Sequence, residues 1–219
     1  MNHPSKIWRV PAALVAALGP LLQYGLMAYD ETMATLPAKS LEFFSYFTIL
    51  SNMLAAVALA APLVAPTSRL ARWSEEAGPR AAMATYLVIT AVVYHTMLAH
   101  TWNPRGARLV ATTILHTITP AAFLLDFAVR GGAGPTRGMA ALKAMAFPAL
   151  FGAWTLAHGA VSGFYPYPFM DVGKRGYPAV LVTIVEMGLA FAVICLIFVA
   201  FLRVRARMTP AKPAAALSA

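Results

Sequence analysis

Long stretches without a charged residue alternate with short basic segments along this chain. Six such stretches stand out, at about 10–28, 43–65, 81–100, 109–129, 144–161 and 179–202. Each is close to the length of about 20 residues that carries an α-helix across the hydrocarbon of a bilayer. A helix that is apolar all round is buried in a large core or faces lipid. Only the fourth and sixth stretches contain an acid, Asp126 and Glu186. The pattern predicts an all-α polytopic membrane protein, a bundle of six transmembrane helices. No internal repeat is visible, so residues 1–205 read as one domain. The Ala- and Pro-rich end, residues 206–219, reads as a disordered tail.

Composition sharpens this picture. Apolar types make up 60% of the 219 residues and charged types 11%, where a soluble domain carries about 25% charged. A water-soluble domain of this size cannot hide so much apolar surface. The single Cys195 lies in an apolar run and supports neither a disulfide nor a metal site. No metal and no cofactor is therefore expected. The net charge is +9. Beside a bilayer this reflects basic loops, and no nucleic-acid partner is implied. Twelve Lys and Arg residues flank one side of the six spans and five flank the other, the five being Lys39, Arg105, Arg108, Lys174 and Arg175. The positive-inside rule then places both termini in the cytoplasm. The first span follows Lys6 and Arg9, as a signal peptide would. It is longer than a typical signal core and lacks a small-residue cleavage site, so it reads as a retained helix.

The polar residues within the spans are not scattered. Counting the helical rise from each outer boundary puts Thr48 and His95 about 7–8 Å deep, His116 and Glu186 about 10 Å deep and His158 about 5 Å deep. Five helices thus bring a reactive side chain to one layer in the outer half of the membrane. Polar groups at such depth are costly and mark pairing or function. On the second span Ser45, Thr48 and Asn52 share a face, as spacings of three and four dictate. Pro120 lacks the amide that would bond the carbonyl of His116, which predicts a local break beside that histidine. Each residue also has a plain structural role open to it. Thr48 alone can bond its own i−4 carbonyl, a lone His can bridge helices, and Glu186 can serve as a structural partner. Asp126 and Arg130 are spaced as an i,i+4 ion pair.

Three strings carry a resemblance: residues 43–52 (FFSYFTILSN), residues 115–120 (LHTITP) and residues 163–172 (GFYPYPFMDV). They resemble the bacterial relatives of the androgen-induced and androgen-dependent integral membrane proteins, over nearly the whole chain. That resemblance implies a six-helix intramembrane threonine hydrolase of the bacterial inner membrane. Its substrates would be fatty acid esters of hydroxy fatty acids or related acyl esters. It further implies that Thr48 is the nucleophile and His116 the catalytic histidine.

The chemistry of the residues fits those roles. A threonine hydroxyl needs a base to become nucleophilic, and a neutral imidazole is such a base near pH 7. Asn52, one turn from Thr48, is a candidate oxyanion donor. Ser45, His95, His158 and Glu186 are candidates to line the site or orient its base. Tyr165 and Tyr167, in an aromatic Pro-rich loop expected at the interface, are candidates for a lid or substrate contact. The expected partners are an acyl-ester substrate and membrane lipids; oligomeric state is left open. Two other readings compete. His95, His100, His116 and His158 are potential ligands of a b-type haem, and Glu186 with the histidines forms a potential proton relay in a transporter.

Overall fold

The computed structural model describes residues 3–135 and 139–208. Six helical segments are long and apolar enough to cross a membrane: Trp8–Tyr29, Phe47–Val64, Ala77–Leu98, Ala107–Arg130, Ala140–Ser162 and Val172–Met208. The protein is an all-α, polytopic membrane protein. Helix α1 is His3–Tyr29, and α2, Leu36–Phe43, is a short helix preceding the second span. The second span is α3, Phe47–Val64, followed by the short α4, Arg69–Glu75. The third is α5, Ala77–Val93, closed by a π turn at Tyr94–Leu98. The fourth consists of α6, Ala107–Thr113, a π turn at Ile114–Ile118, and α7, Thr119–Arg130. The fifth joins α8, Ala140–Ala144, to α9, Ala146–Ser162. The last is α10, Val172–Met208.

Central in this bundle is α5, which packs against α3, α7 and α10. Helix α1 lies against α3 and the fourth span, and α9 lies on α10. Glycine sets two of the ends. Gly163 has φ 74 and stops α9, and Gly176, also with φ 74, kinks α10 just before Pro178. Positive φ at these places is available to glycine at little cost. The kink explains why the apolar run of the sixth span begins near residue 179 although the helix starts earlier. At its other end α10 continues through Met208, so residues 206–208 are helical. The rest of the expected tail, residues 209–219, lies outside the described residues.

The second span departs from expectation. A continuous helix from residue 43 is expected, but the chain turns between α2 and α3. Tyr46 is extended at φ −90 and ψ 127. Phe47 anchors the new start, its ring meeting Tyr86, Phe147, Phe151 and Phe191 at centroid distances of 5.1–6.0 Å. Thr48 therefore sits in the first turn of α3, where backbone N–H groups have no intrahelical acceptor.

The end of the bundle that holds both described termini is tied by charge. Asp126 is 1% exposed and is 2.7 Å from Arg80 and 3.6 Å from Arg9, which are themselves 1% and 0% exposed. Glu75 bridges Arg9 and Arg130. The expected Asp126–Arg130 pair is thus replaced by contacts between separate helices. Three arginines share two carboxylates here, and Arg80 also donates to the carbonyl of Gly131. Arg205 caps the last turn of α7 through the carbonyls of Ala128 and Val129, each at 2.5 Å. Among the described residues there is no strand. One isolated bridge, Glu76 with Ala133, joins the two loops at this end.

Candidate active site

Thr48 and His116 meet at the opposite end. The Thr48 hydroxyl oxygen is 3.4 Å from Nε2 of His116. His116 lies within the π turn Ile114–Ile118, and its Nδ1 is 2.9 Å from the carbonyl oxygen of Thr112. A carbonyl only accepts, so Nδ1 carries the proton of the neutral ring and Nε2 is left as an acceptor. The hydroxyl of Thr48 then donates to Nε2. Tyr94, in the π turn of the third span, stacks on the His116 ring at 3.9 Å with an interplanar angle of 21° and holds its orientation. Single π turns of this kind recur at functional sites. Here two lie side by side, and His95 Nε2 bridges them to the hydroxyl of Thr117 at 3.0 Å.

Tyr167 completes the arrangement. Its hydroxyl oxygen accepts from the Thr48 backbone N–H at 3.3 Å and lies 3.4 Å from the Thr48 hydroxyl. Tyr167 is buried, and burial pushes its hydroxyl up to about 12, so it remains an O–H donor at any physiological pH. The Thr48 N–H thus holds the Tyr167 hydroxyl in place, with its O–H beside the Thr48 hydroxyl oxygen. Helix N-termini favour negative charge, and here Thr48 is the second residue of α3. Tyr167 is held from both sides, edge-on by Tyr46 at 5.8 Å and in parallel stacking by Phe169 at 5.3 Å. Its neighbour Tyr165 rests on Gly159, where an added Cβ would lie 2.1 Å from the tyrosine ring. Gly159→Ala is accordingly expected to dislodge this loop and to destabilise the protein by about 1–3 kcal/mol, read as a lowered unfolding midpoint in detergent.

Beside Thr48 and Tyr167 opens a cavity of about 360 Å³, within the range of small-molecule sites. Its walls are apolar, formed by residues such as Ile89, Val93, Phe151, Ile184, Met187 and Phe191 from the third, fifth and sixth spans. His116 is not among its walls. The hydroxyl of Thr48 therefore separates a basic nitrogen from an apolar chamber.

Other expected site residues are placed differently. Asn52 spends both amide hydrogens on carbonyls, Thr48 O at 2.8 Å and Leu115 O at 3.1 Å, and has none for an oxyanion. This also revises the expected break at Pro120. A π turn shifts the ladder by one residue, so Leu115, not His116, is the carbonyl facing the proline, and Asn52 satisfies it. Ser45 donates to Leu41 O at 2.8 Å and accepts from Trp154 Nε1 at 2.9 Å. His158 is 3.4 Å from Ser45 and stacks on Trp154, forming a separate cluster. His95 is exposed and faces Thr117. Glu186 is exposed on the outer side of α10. None of His95, His158 and Glu186 borders the cavity, so the expected single pocket ringed by all five helices does not form. His100 has no role in the site. Both nitrogens of His116 are engaged within the protein, which weighs against haem ligation there, and Glu186 stands apart from any histidine relay. Sequence reasoning placed Thr112 on one stripe with His116 but missed its backbone carbonyl as the partner of Nδ1, and it missed Tyr94; a main-chain acceptor and an aromatic in an apolar helix carry no signal of their own.

No protein-family model, no curated protein and no solved structure matches this chain.

Proposed function

We propose that the protein is an intramembrane hydrolase of lipid acyl esters, with Thr48 as nucleophile and His116 as base. The observation that carries this reading is the 3.4 Å approach of the Thr48 hydroxyl to an Nε2 whose tautomer is set by Thr112. An isolated threonine in a membrane helix bonds its own backbone; this one faces an imidazole acceptor and an acyl-sized chamber.

In this mechanism the hydroxyl proton passes to Nε2 as the oxygen attacks the ester carbonyl carbon. The resulting oxyanion takes a hydrogen bond from the Tyr167 O–H, whose oxygen is fixed in place by the Thr48 N–H before the reaction begins. Collapse breaks the bond to the alkoxide, the imidazolium protonates it, and an alcohol leaves. Water then attacks the acyl-threonine while His116 draws its proton, the acyl–Oγ bond breaks, the imidazolium returns the proton to the Thr48 oxygen, and a carboxylic acid is released. The acyl chain occupies the apolar cavity between the third, fifth and sixth spans. The resemblance of the three strings to the membrane threonine hydrolases supports the same assignment, with the bacterial inner membrane as its setting.

The test is hydrolysis of a fluorogenic or lipid acyl ester by the purified protein in detergent and in liposomes. Tyr167→Phe removes one donor and keeps the ring. It is expected to lower kcat by roughly 10²-fold with little change in KM; unchanged kcat would remove Tyr167 from the oxyanion site.

A further inference from the structure

Two mid-helix glycines of this bundle have no packing to explain them. Gly152 of α9 and Gly188 of α10 both line the apolar cavity beside Thr48. Neither has a positive φ, so no backbone conformation demands glycine there. An added Cβ at either position would meet nothing within 4 Å. Gly19 and Gly159 differ, since a Cβ there would lie 2.8 Å from Ile114 and 2.1 Å from Tyr165. Glycine inside a helix is less favourable than alanine, and at 152 and 188 no close approach of a neighbour offsets that. Gly152 is nonetheless buried. What glycine leaves at these two positions is room within the cavity.

Both positions belong to walls that pack beside the nucleophile. Gly152 follows Phe151, and Gly188 stands three residues before Phe191. The rings of Phe151 and Phe191 lie 5.2 Å and 5.3 Å from that of Phe47, the residue before Thr48. On α10, Ile184, Gly188, Phe191 and Ala192 share the cavity face at spacings of three and four. The other wall hydroxyls are engaged within the protein. Thr183 donates to the carbonyl of Ala179 at 3.1 Å and accepts from Arg175 at 3.0 Å. Thr90 pairs with Ser51 at 3.1 Å, and Ser51 donates to the Thr48 carbonyl at 3.1 Å. Away from Thr48 and Tyr167, the described walls therefore offer no hydroxyl proton to a ligand. A hydroxyl or charge carried along the chain would be buried there unpaired, so the occupant these walls suit is a plain hydrocarbon.

We propose that Gly152 and Gly188 are the specificity-determining residues of the chamber, and that they set it to take a long, unsubstituted acyl chain. The inference rests on the reading of Thr48 as nucleophile, which places the ester carbonyl beside the chamber. The lining runs from Thr183 to Ala192 on α10, about 13 Å of helix, so it extends far beyond the reach of an acetyl group. His116 is not among the walls, and it is His116 that protonates the departing alkoxide. The two glycines therefore act on the acyl half of the ester and leave the alcohol half unselected. A side chain at either position projects into the space that the methylenes of a long chain occupy.

The experiment measures kcat/KM of the full-length protein in detergent on a palmitoyl and an acetyl ester of one chromogenic alcohol. The quantity read is the ratio of the two, in which the folded fraction cancels. Gly152→Leu and Gly188→Leu are each expected to lower the palmitoyl-to-acetyl ratio about 10²-fold, within the range that a methylene commands in an apolar pocket. Gly25→Leu is the control. A Cβ at residue 25 also meets nothing within 4 Å, but Gly25 is exposed on α1 and off the cavity, so its ratio should stay as in the parent. A second readout needs no turnover. In Thr48→Ala, a long-chain alkyl methyl ketone with a terminal diazirine is expected to photolabel peptides of α9 and α10, and adding Gly152→Leu should lower that labelling about tenfold. An unchanged ratio in either glycine variant, an equal fall in Gly25→Leu, or labelling undiminished by Gly152→Leu would overturn the proposal. Hydrolysis that survives Thr48→Ala, or a parent protein that cleaves neither ester, would instead remove the hydrolase reading, and the labelling alone would then decide the chamber.

Discussion

Replacing Thr48 by Ala is expected to lower lipid-ester hydrolysis by roughly 10³-fold or more, while the protein keeps its fold and its unfolding midpoint. The side chain removed is small and its hydroxyl serves no structural carbonyl in the arrangement described, so little stability depends on it. His116→Ala should lose activity to a similar degree, because nucleophile and base act as one unit and their losses do not add. The double variant is thus expected to be no worse than either single one. Thr48→Ser keeps the hydroxyl beside Nε2 and should retain measurable turnover. Rates on one acyl ester for all four proteins, with thermal unfolding curves alongside, check this. Full activity in Thr48→Ala would end the threonine-hydrolase reading.

The second large effect lies at the other end of the bundle and concerns stability. Asp126→Ala is expected to destabilise the protein by about 3–5 kcal/mol, the cost of leaving buried charges without their partner. Asp126 is the carboxylate 2.7 Å from Arg80 and 3.6 Å from Arg9. Both arginines are buried, and without Asp126 they share only Glu75, which Arg130 also occupies. Asp126→Asn keeps the shape and two polar atoms, and should cost less. Unfolding in detergent, followed by circular dichroism, reads the difference. Activity lost by Asp126→Ala should track the unfolded fraction, unlike that lost by Thr48→Ala. A midpoint unchanged by Asp126→Ala would show that the arginines find other partners or water.

The spans were legible because lipid leaves no alternative: twenty apolar residues in a row have few other uses. Depth placed Thr48 and His116 in one layer together with His95, His158 and Glu186, and the resemblance of the strings at 43–52 and 115–120 singled out the pair. Depth, however, says nothing of rotation about the helix axis. Glu186 lies at the expected level but points away from the bundle, and His158 turns toward Ser45 and Trp154. The break before Phe47 was hidden, because the stretch from Phe43 to Tyr46 has no Gly or Pro and Tyr46 caps the helix without a side-chain bond. What fixes it is the packing of Phe47 among four rings from three other spans. That break leaves the Thr48 N–H without an intrahelical acceptor and turns it to Tyr167, so the sequence concealed the feature that places the Tyr167 hydroxyl beside Thr48. The π turns were hidden for a similar reason: Pro120 predicts a disturbance, but which carbonyl it frees depends on Asn52 from a neighbouring helix. Asp126 shows the same limit. Its local partner at i+4 loses to Arg80, which arrives from the third span already desolvated and in need of a carboxylate.

The most direct measurement is the mass of the protein after treatment with an alkyl fluorophosphonate, which traps an activated hydroxyl, followed by peptide mapping. The account predicts one phosphonyl adduct on the peptide containing Thr48, absent in Thr48→Ala and strongly reduced in His116→Ala. An active protein that carries no adduct at Thr48, or carries it undiminished in His116→Ala, would contradict it.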